Sequence, residues 1–253
     1  MTTLLLAGFI TLVFTTLLTI AGVGAAFILI PVFVYLGIEI HMAMATALLL
    51  NSIAMSFASI RFVRNRLVVW KSAVPILITA TAMSPLGALV SQGLDRTVLL
   101  WMFVGFLLFA ALMMLFYQPR ASEAAFPAFR LLVYGISVGG LAGFLGGLLG
   151  VGGGNFIVPV LVWLGFDPKK ASATSSFIVI FSSLTGFMGH VTLGHMDGRL
   201  LAITAIGSAG GALLGSWLMT DKLKSRQVKI IIGMILLLIA VHMTWKLVSE
   251  WIH

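Results

Sequence analysis

Two glycine-rich segments offer a recognisable chemistry, the binding of an anion by backbone amides. They contain Gly22, Gly24, Gly150, Gly152, Gly153 and Gly154. A helix that starts at Gly24 or Gly153 exposes unpaired N–H groups and the positive end of its dipole. Glycine also lets an anion approach that backbone closely. The alternative is that these glycines only allow neighbouring helices to cross at short distance.

A polar stripe provides a second group of candidates. Its serines recur at positions that share one helix face, namely Ser172, Ser175, Ser176, Ser182 and Ser183. Asn51 lies about ten residues into its own apolar span, where a buried amide needs partners. We predict anion contacts from Asn51, Asn155, Thr174, Ser175 and Ser176. Hydrogen bonding between helices is the open alternative for these side chains.

Other kinds of chemistry lack the residues that they need. The chain has no cysteine, which excludes thiolate nucleophiles and thiolate metal sites. No Lys-Ser or Lys-Thr pair follows the glycines, so they do not form a nucleotide-binding loop. The serine stripe has no His or Asp at its level, and we read His190, His195 and Asp197 as interfacial polar residues in one external connector. We therefore predict no catalytic residue, no metal, no cofactor and no enzymatic activity.

The composition predicts an all-α polytopic membrane protein. Hydrophobic residues make up 60% of the chain and charged residues 9%, and the mean hydropathy is +1.16. A soluble domain does not bury this much apolar surface, and short polar connectors separate the apolar runs into spans. The net charge of +8 comes from residues between those runs. It therefore fits membrane topology in a lipid bilayer better than nucleic-acid binding.

The chain contains one unit twice, and a single constant offset relates the two copies without a gap. Gly22-Val23-Gly24 and the later Pro31, Gly37 and Ala43-Met44-Ala45-Thr46 recur as Gly150-Val151-Gly152, Pro159, Gly165 and Ala171-Ser172-Ala173-Thr174. We predict a first repeat at 1–117, a linker at 118–129 and a second repeat at 130–253. Each repeat has five helical elements, and together they form one integral membrane domain. Internal duplication in so apolar a chain is typical of transporters.

The second element of each repeat is too short to cross a bilayer. Thirteen residues, at 25–37 and 154–166, reach only about 20 Å, against about 30 Å of hydrocarbon. A glycine-rich break precedes each of them. The sequence therefore predicts two broken or re-entrant helical hairpins and 8 to 10 membrane elements, depending on whether the short ones span.

The basic residues predict the topology. If the elements alternate in direction, twelve Lys and Arg residues fall on one side and three on the other. The positive-inside rule places the richer side in the cytoplasm and both termini outside. Five crossings per repeat turn the second repeat upside-down relative to the first. The fold class is therefore a five-plus-five inverted repeat.

These motifs resemble the TauE/SafE family of membrane exporters. The resemblance rests on Gly-Val-Gly…Pro…Gly…Ala-x-Ala-Thr in both repeats, most clearly in Gly150–Ser175, and it covers nearly the whole chain. It implies secondary transport, usually outward, of sulfite, sulfonate or thiosulfate-like anions across the bacterial inner membrane. The first repeat departs from the pattern, with Ala25, Ala26 and Phe27 in place of Gly153, Gly154 and Asn155. That difference favours the second repeat as the main ligand-bearing half.

The leading functional hypothesis is therefore a secondary transporter for a small sulfur or organosulfur oxyanion that works by alternating access. An anion channel and a uniporter are the alternatives, and an intramembrane enzyme is disfavoured because no nucleophile and base share one depth. The partners expected are the anion and the lipid bilayer. A proton as coupling ion and a homo-oligomer stay open, and nucleic acid is not expected.

Overall fold

The computed structural model describes residues 2–35, 40–91, 96–116, 128–190 and 198–252, where all the regular structure is helical. Within these ranges the chain forms α1 Thr2–Ala21, α2 Ala26–Tyr35, α3 Ile40–Arg64, α4 Trp70–Val90, α5 Arg96–Phe116, α6 Ala128–Leu148, α7 Gly154–Trp163, α8 Pro168–His190, α9 Gly198–Trp217 and α10 Ser225–Ile252. A π-helical turn, Leu218–Lys222, continues α9. The prediction of an all-helical chain is confirmed.

The duplication is visible in the helix boundaries. α2 and α7 each have ten residues, and α7 begins and ends at the repeat counterparts of the first and last residues of α2. At 1.5 Å per residue each is about 15 Å long, which is half the thickness of the hydrocarbon core. The predicted pair of short helices after glycine breaks is therefore confirmed. α7 ends at Trp163, whereas the sequence predicted an end at residue 166.

The third helices of the two repeats, α3 and α8, run antiparallel to each other. Asn51 pairs with Ser183 and Ser52 with Ile180, so the residue number rises along one helix as it falls along the other. Because α3 and α8 occupy corresponding places in their repeats, this direction is the one that an inverted repeat requires. The predicted inversion is thus confirmed by the packing.

Glycine ridges hold two further helix pairs together. Gly207, Gly211 and Gly215 of α9 pack so closely on α1 that a Cβ on any of them would collide with an α1 carbonyl. A second ridge on α6 packs as closely on α4, and it consists of Gly135, Gly139, Gly143 and Gly147. Residue numbers rise together within each pair, so these helices are parallel. The spacing of four that the sequence shows in these glycines therefore serves close helix packing.

The contacts divide six of the helices into two equivalent halves. The first half consists of α1, α3 and α9, which pack on one another, and the second half consists of α6, α8 and α4 in the corresponding roles. The two halves meet mainly along α3 and α8. Each half mixes helices from both repeats, so the repeats are interleaved and form one packed unit.

The outer surface suits a lipid environment. Within the described residues, five helices are long and apolar enough to cross a membrane, namely α3, α4, α8, α9 and α10. Large apolar side chains point outward, including Phe116 (77% exposed), Trp245 (76%) and Ile206 (74%). Lipid rather than water is the solvent that stabilises such a surface. The chain is a multi-pass membrane protein.

Two local features differ from the sequence prediction. His190 is the last residue of α8 and is buried, and its Nε2 lies 2.9 Å from the Gly147 carbonyl oxygen, so it is not part of a connector. The π-helical turn after α9 was not predicted. His195, Asp197 and residues 118–127 of the proposed linker lie outside the described residues, and the repeat boundaries at 117 and 130 stay a prediction.

Candidate functional site

Left-handed glycines form both breaks. We call residues 22–25 the first tip and residues 149–153 the second tip. In the first tip, φ is +70° at Gly22 and +82° at Gly24, and in the second it is +68° at Gly150, +75° at Gly152 and +57° at Gly153. Side chains with a Cβ rarely adopt these angles, so glycine is what permits the helix to stop and restart here.

The two tips touch each other. A Cβ added at Gly154, the first residue of α7, would lie 2.9 Å from the carbonyl oxygen of Val23 and 3.0 Å from that of Gly22. The first turns of α2 and α7 follow these tips directly. The structure thus places the start of α7 against the first tip, which leads into α2, as the sequence alone could not establish.

Each tip is sandwiched between α3 and α8. Gly22 packs on Ser172 of α8, and its counterpart Gly150 packs on Met44 of α3, the counterpart of Ser172. Gly24 packs on Asn51, whereas Gly152 packs most closely on Ser183 and Asn51, with Val179, the counterpart of Asn51, farther away. The Gly22 and Gly150 contacts are therefore equivalent between the repeats, whereas those of Gly24 and Gly152 differ. The candidate site lies between α3 and α8, which are corresponding helices of the two repeats.

Asn51 occupies the centre of this arrangement. It is the twelfth of the 25 residues of α3, and its side chain is fully buried. Nδ2 donates a hydrogen bond to Ser183 Oγ at 2.9 Å. Oδ1 is directed at Gly24 and accepts no hydrogen bond from any residue that the structure describes. An unsatisfied buried acceptor costs about 1–3 kcal/mol, so a missing ligand is one physical explanation for it.

Asn155 shows the same feature more strongly. It lies in the first turn of α7 with no solvent exposure. Neither Oδ1 nor Nδ2 has a hydrogen-bond partner within the described part of the chain. A free carboxamide beside a helix N-terminus can donate to an anion through Nδ2 and accept from it through Oδ1. Asn51 and Asn155 are therefore the side chains best suited to ligand contact.

The hydroxyl groups of α8 have several different roles. Ser172 Oγ donates to the Ile20 carbonyl at the end of α1, and Ser175 Oγ donates to the Gly22 carbonyl of the first tip, each at 2.9 Å. Ser176 Oγ bonds within its own helix to the Ser172 carbonyl. Thr174 Oγ1 accepts a hydrogen bond from the Val69 amide at 3.0 Å, between α3 and α4.

The predicted site is therefore brought together in part. The six predicted glycines, Asn51 and Ser175 converge, while the hydroxyl groups of Thr174 and Ser176 are bonded elsewhere. Ligand contact by those two would require their present hydrogen bonds to break, and it stays a prediction. Ser183 was a member of the stripe that the prediction passed over. Its position on the same helix face as Ser172, three turns later, was the available signal.

Charged side chains lie at the ends of the described helices. Arg61 forms an ion pair with Asp221 in the π-helical turn, and Lys169 Nζ donates to the Thr220 carbonyl at 3.0 Å. Both contacts are far along the helices from Asn51. Within the described residues no group of three or more His, Asp or Glu side chains is arranged to hold a metal ion. The positive potential at the site therefore comes from backbone dipoles.

Comparison with known proteins gives one consistent family. Residues 4–243 match the family model described as "Sulfite exporter TauE/SafE". The "Probable membrane transporter protein YunE" of Bacillus subtilis (strain 168) is 26% identical, with 90% of this chain and 92% of that protein covered. A "Probable membrane transporter protein" of Haemophilus influenzae (strain ATCC 51907 / DSM 11121 / KW20 / Rd) is 28% identical, with 92% and 91% covered.

A shorter match extends to plants. "Sulfite exporter TauE/SafE family protein 1" of Arabidopsis thaliana is 41% identical over 30% of this chain and 17% of that protein. No solved structure matches. The family model spans nearly all of the sequence, and the bacterial relatives are covered over almost their whole length. The chain therefore belongs to the TauE/SafE sulfite exporter family and is a membrane transporter.

Proposed function

We propose that this protein is a secondary transporter for a small sulfur oxyanion, such as sulfite, a sulfonate or a thiosulfate-like anion. The observation that carries the proposal is the contact between the start of α7 and the first tip, together with two buried asparagines there, Asn51 and Asn155, that have unsatisfied polar atoms. Half-helix N-termini favour anions, and discontinuous helices hold the substrate in several transporter folds. The family description names sulfite, which agrees with this chemistry.

In the first turn of α7, the Gly154 and Phe156 amides donate to the Gly152 and Gly153 carbonyls of the second tip. The Asn155 amide and carboxamide, together with the amides at the start of α2, would bind the oxygens of the anion. Glycine at position 24 lets the Asn51 carboxamide pack directly on the backbone of the first tip, since a Cβ there would overlap it. The α8 serines would act as positioning residues, because Ser172 and Ser175 hold the end of α1 and the first tip against α8. A stable tip keeps the amides aligned toward one point.

Alternating access would follow from the two halves of the fold. The candidate site lies between α3 of the first half and α8 of the second half, where the halves meet. Rocking one half against the other would open the site to each side of the membrane in turn. Because the halves are related by an inverted symmetry, the outward-open and inward-open states would be near-equivalent in packing. We propose export from the cytoplasm across the bacterial inner membrane, with both termini outside.

Flux into proteoliposomes tests this function. Purified protein would be reconstituted and challenged with radiolabelled sulfite, thiosulfate, sulfate and methanesulfonate, with and without a pH gradient. A transporter should give saturable uptake of at least one sulfur oxyanion, and protein-free vesicles provide the control. Flux that rises in proportion to concentration without saturation would indicate a channel. Absence of protein-dependent flux for all four anions would contradict the proposal.

A further inference from the structure

We infer that the two access routes to the site are held closed unequally, and that opening on the side of the α8 N-terminus is the harder of the two. Three polar contacts on that side cross from one half of the fold to the other. Two of the three counterpart positions on the other side cannot donate a hydrogen bond. The inference rests on the proposed alternating access, because it states which of the two openings the protein resists.

The bond between Ser52 and Ile180 marks the centre of the interface between the halves. These residues are repeat counterparts, 128 positions apart, and Ser52 Oγ donates to the Ile180 carbonyl at 3.0 Å. Because α3 and α8 are antiparallel, the part of α8 before Ile180 lies beside the part of α3 after Ser52. The interface therefore has two sides. The positive-inside rule predicts that the side with the α8 N-terminus faces the cytoplasm.

Three residues in the N-terminal part of α8 bind the first half, and we call them the clasp. Lys169 Nζ donates at 3.0 Å to a carbonyl of the π-helical turn that continues α9. Ser172 Oγ donates to the Ile20 carbonyl in the last turn of α1, and Ser175 Oγ donates to the Gly22 carbonyl of the first tip. Carbonyls at a helix end have no partner within the helix, so the clasp satisfies acceptors that the ends of α1 and α9 provide.

The repeat counterparts of the clasp lie on α3 and differ from it in chemistry. They are His41, Met44 and Ala47. The side chains of Met44 and Ala47 have no hydrogen-bond donor, and Met44 packs on Gly150 of the second tip instead. The His41 side chain lies outside the described residues. Apolar packing therefore replaces two of the three clasp bonds on this side.

Distance from the centre decides how strongly each bond resists an opening. When the halves rock about the centre, facing atoms separate in proportion to their distance from it. Ser172 lies eight residues from Ile180, about 12 Å along the helix. On the other side the described bond between the halves is the one from Asn51 to Ser183, and Ser183 is only three residues from Ile180, about 4.5 Å. Opening the clasp side therefore breaks bonds far from the centre, and the opposite opening does not.

The expected bias follows from the strength of such bonds. A hydrogen bond between membrane helices shifts an equilibrium by about threefold on average, so three of them disfavour the opening on the clasp side by about 30-fold. Apparent affinity falls with the fraction of protein that is open to the ligand. An anion presented from the clasp side thus binds more weakly than one presented from the other side. The clasp keeps the empty protein closed toward the predicted cytoplasmic side.

Two matched cysteine reporters test the bias, because the chain has no cysteine of its own. Ala43 and Ala171 are repeat counterparts, and both are fully buried. Each lies one turn before the corresponding residue, Ala47 or Ser175, on the same helix face. A small water-soluble maleimide would be supplied to both sides of permeabilised proteoliposomes without substrate. Ala43→Cys should react at least about tenfold faster than Ala171→Cys, since its side opens more readily.

Removing the clasp should abolish the difference. Lys169→Met combined with Ser172→Ala removes two of the three bonds. It should raise the reaction rate of Ala171→Cys about tenfold and leave that of Ala43→Cys unchanged. Lys169→Met alone, at the partly exposed end of α8, should raise the rate about threefold. This single variant decides the matter if the double variant does not insert.

Ser84→Ala is the matched control for the loss of a buried serine bond. Ser84 is fully buried and its Oγ donates to the Ser182 carbonyl at 2.8 Å, but both residues belong to the second half. Loss of this bond weakens packing without freeing one half from the other. The control should therefore change the reaction rate of neither reporter.

Several outcomes would overturn the inference. Equal reaction rates of the two reporters in the otherwise unchanged protein would do so, as would clasp variants that react no faster or a Ser84→Ala protein that reacts as fast as they do. Two unreactive reporters in a protein that still transports would also overturn it, because the halves then do not separate there. Absence of saturable flux contradicts the proposed function instead, and the labelling rates are measured without any substrate, so the two failures are distinguishable.

Discussion

Replacing Gly24 by Ala perturbs the first tip at the point where it touches Asn51. Gly24 has a φ of +82°, and a Cβ there would overlap the Asn51 carboxamide. The backbone of the tip is fixed by its contacts with α8, so Asn51 would have to move. Its hydrogen bond to Ser183 would then be lost. We expect both stability and transport to fall.

The magnitude follows from two contributions. An L residue in the left-handed region costs about 1–2 kcal/mol, and loss of one hydrogen bond costs about 0.5–1.5 kcal/mol. Gly24→Ala should therefore lower the free energy of unfolding by about 1.5–3.5 kcal/mol. Gly140→Ala is the matched control, because a Cβ there has no atom within 4 Å. In the interior of α6 that change should be neutral or stabilise the protein by about 0.5–1 kcal/mol.

Unfolding in mixed detergent micelles measures the change in unfolding free energy for Gly24→Ala and for Gly140→Ala. A double-mutant cycle with Asn51→Ala then isolates the overlap between the new Cβ and the Asn51 carboxamide. In the Asn51→Ala background the carboxamide is absent, so Gly24→Ala should retain only the left-handed contribution of about 1–2 kcal/mol. If the two substitutions are additive, Asn51 does not confine the tip and the reasoning is refuted. Equal losses in Gly24→Ala and Gly140→Ala would refute it too.

Three further predictions concern the second tip, the topology and the ion pair. Gly153→Val should abolish flux in a protein that still inserts, because a β-branched residue disfavours a φ of +57° and blocks the α7 N-terminus; normal flux would leave the tip a packing feature. A cysteine introduced at Asn65 in this cysteine-free chain should react only with reagents applied from the cytoplasmic side, and labelling from outside would contradict the predicted orientation. Asp221→Asn should change the free energy of unfolding by less than about 1 kcal/mol, since the pair with Arg61 is partly exposed; a loss well above that, measured in the same micelles, would show that the pair holds the fold together.

The architecture was predictable because its signals are local or periodic. Apolar runs, glycine breaks and the constant offset between the two copies can all be read along the chain. They indicated ten helical elements, two short helices and an inverted arrangement. The chain direction of α3 and α8 then confirmed the inversion. The positive-inside rule needs only the distribution of Lys and Arg, so it required no tertiary contact.

The sequence indicated which residues belong to the candidate site but not how they are arranged, because the arrangement depends on contacts between residues that are distant in the sequence. Asn51 and Ser183 lie in different repeats and meet only after the repeats interleave. Thr174 and Ser175 are adjacent, yet one bonds to Val69 and the other to Gly22. A helix turns by about 100° per residue, so neighbours face different partners, and no sequence pattern says which face meets the tips.

The backbone of the candidate site is symmetric and its side chains are not, and we take these two features together as an argument for one bound anion. The tips repeat between the two copies, but Asn51 corresponds to Val179, Ser183 to Met55 and Asn155 to Phe27. In each of these three pairs of corresponding positions, only one residue is polar. The tips are also in contact, so two anions would lie about 4 Å apart and repel by about 4 kcal/mol at an effective dielectric constant of about 20. A single anion at the site that we propose would avoid this repulsion, and one set of polar side chains would be enough to bind it.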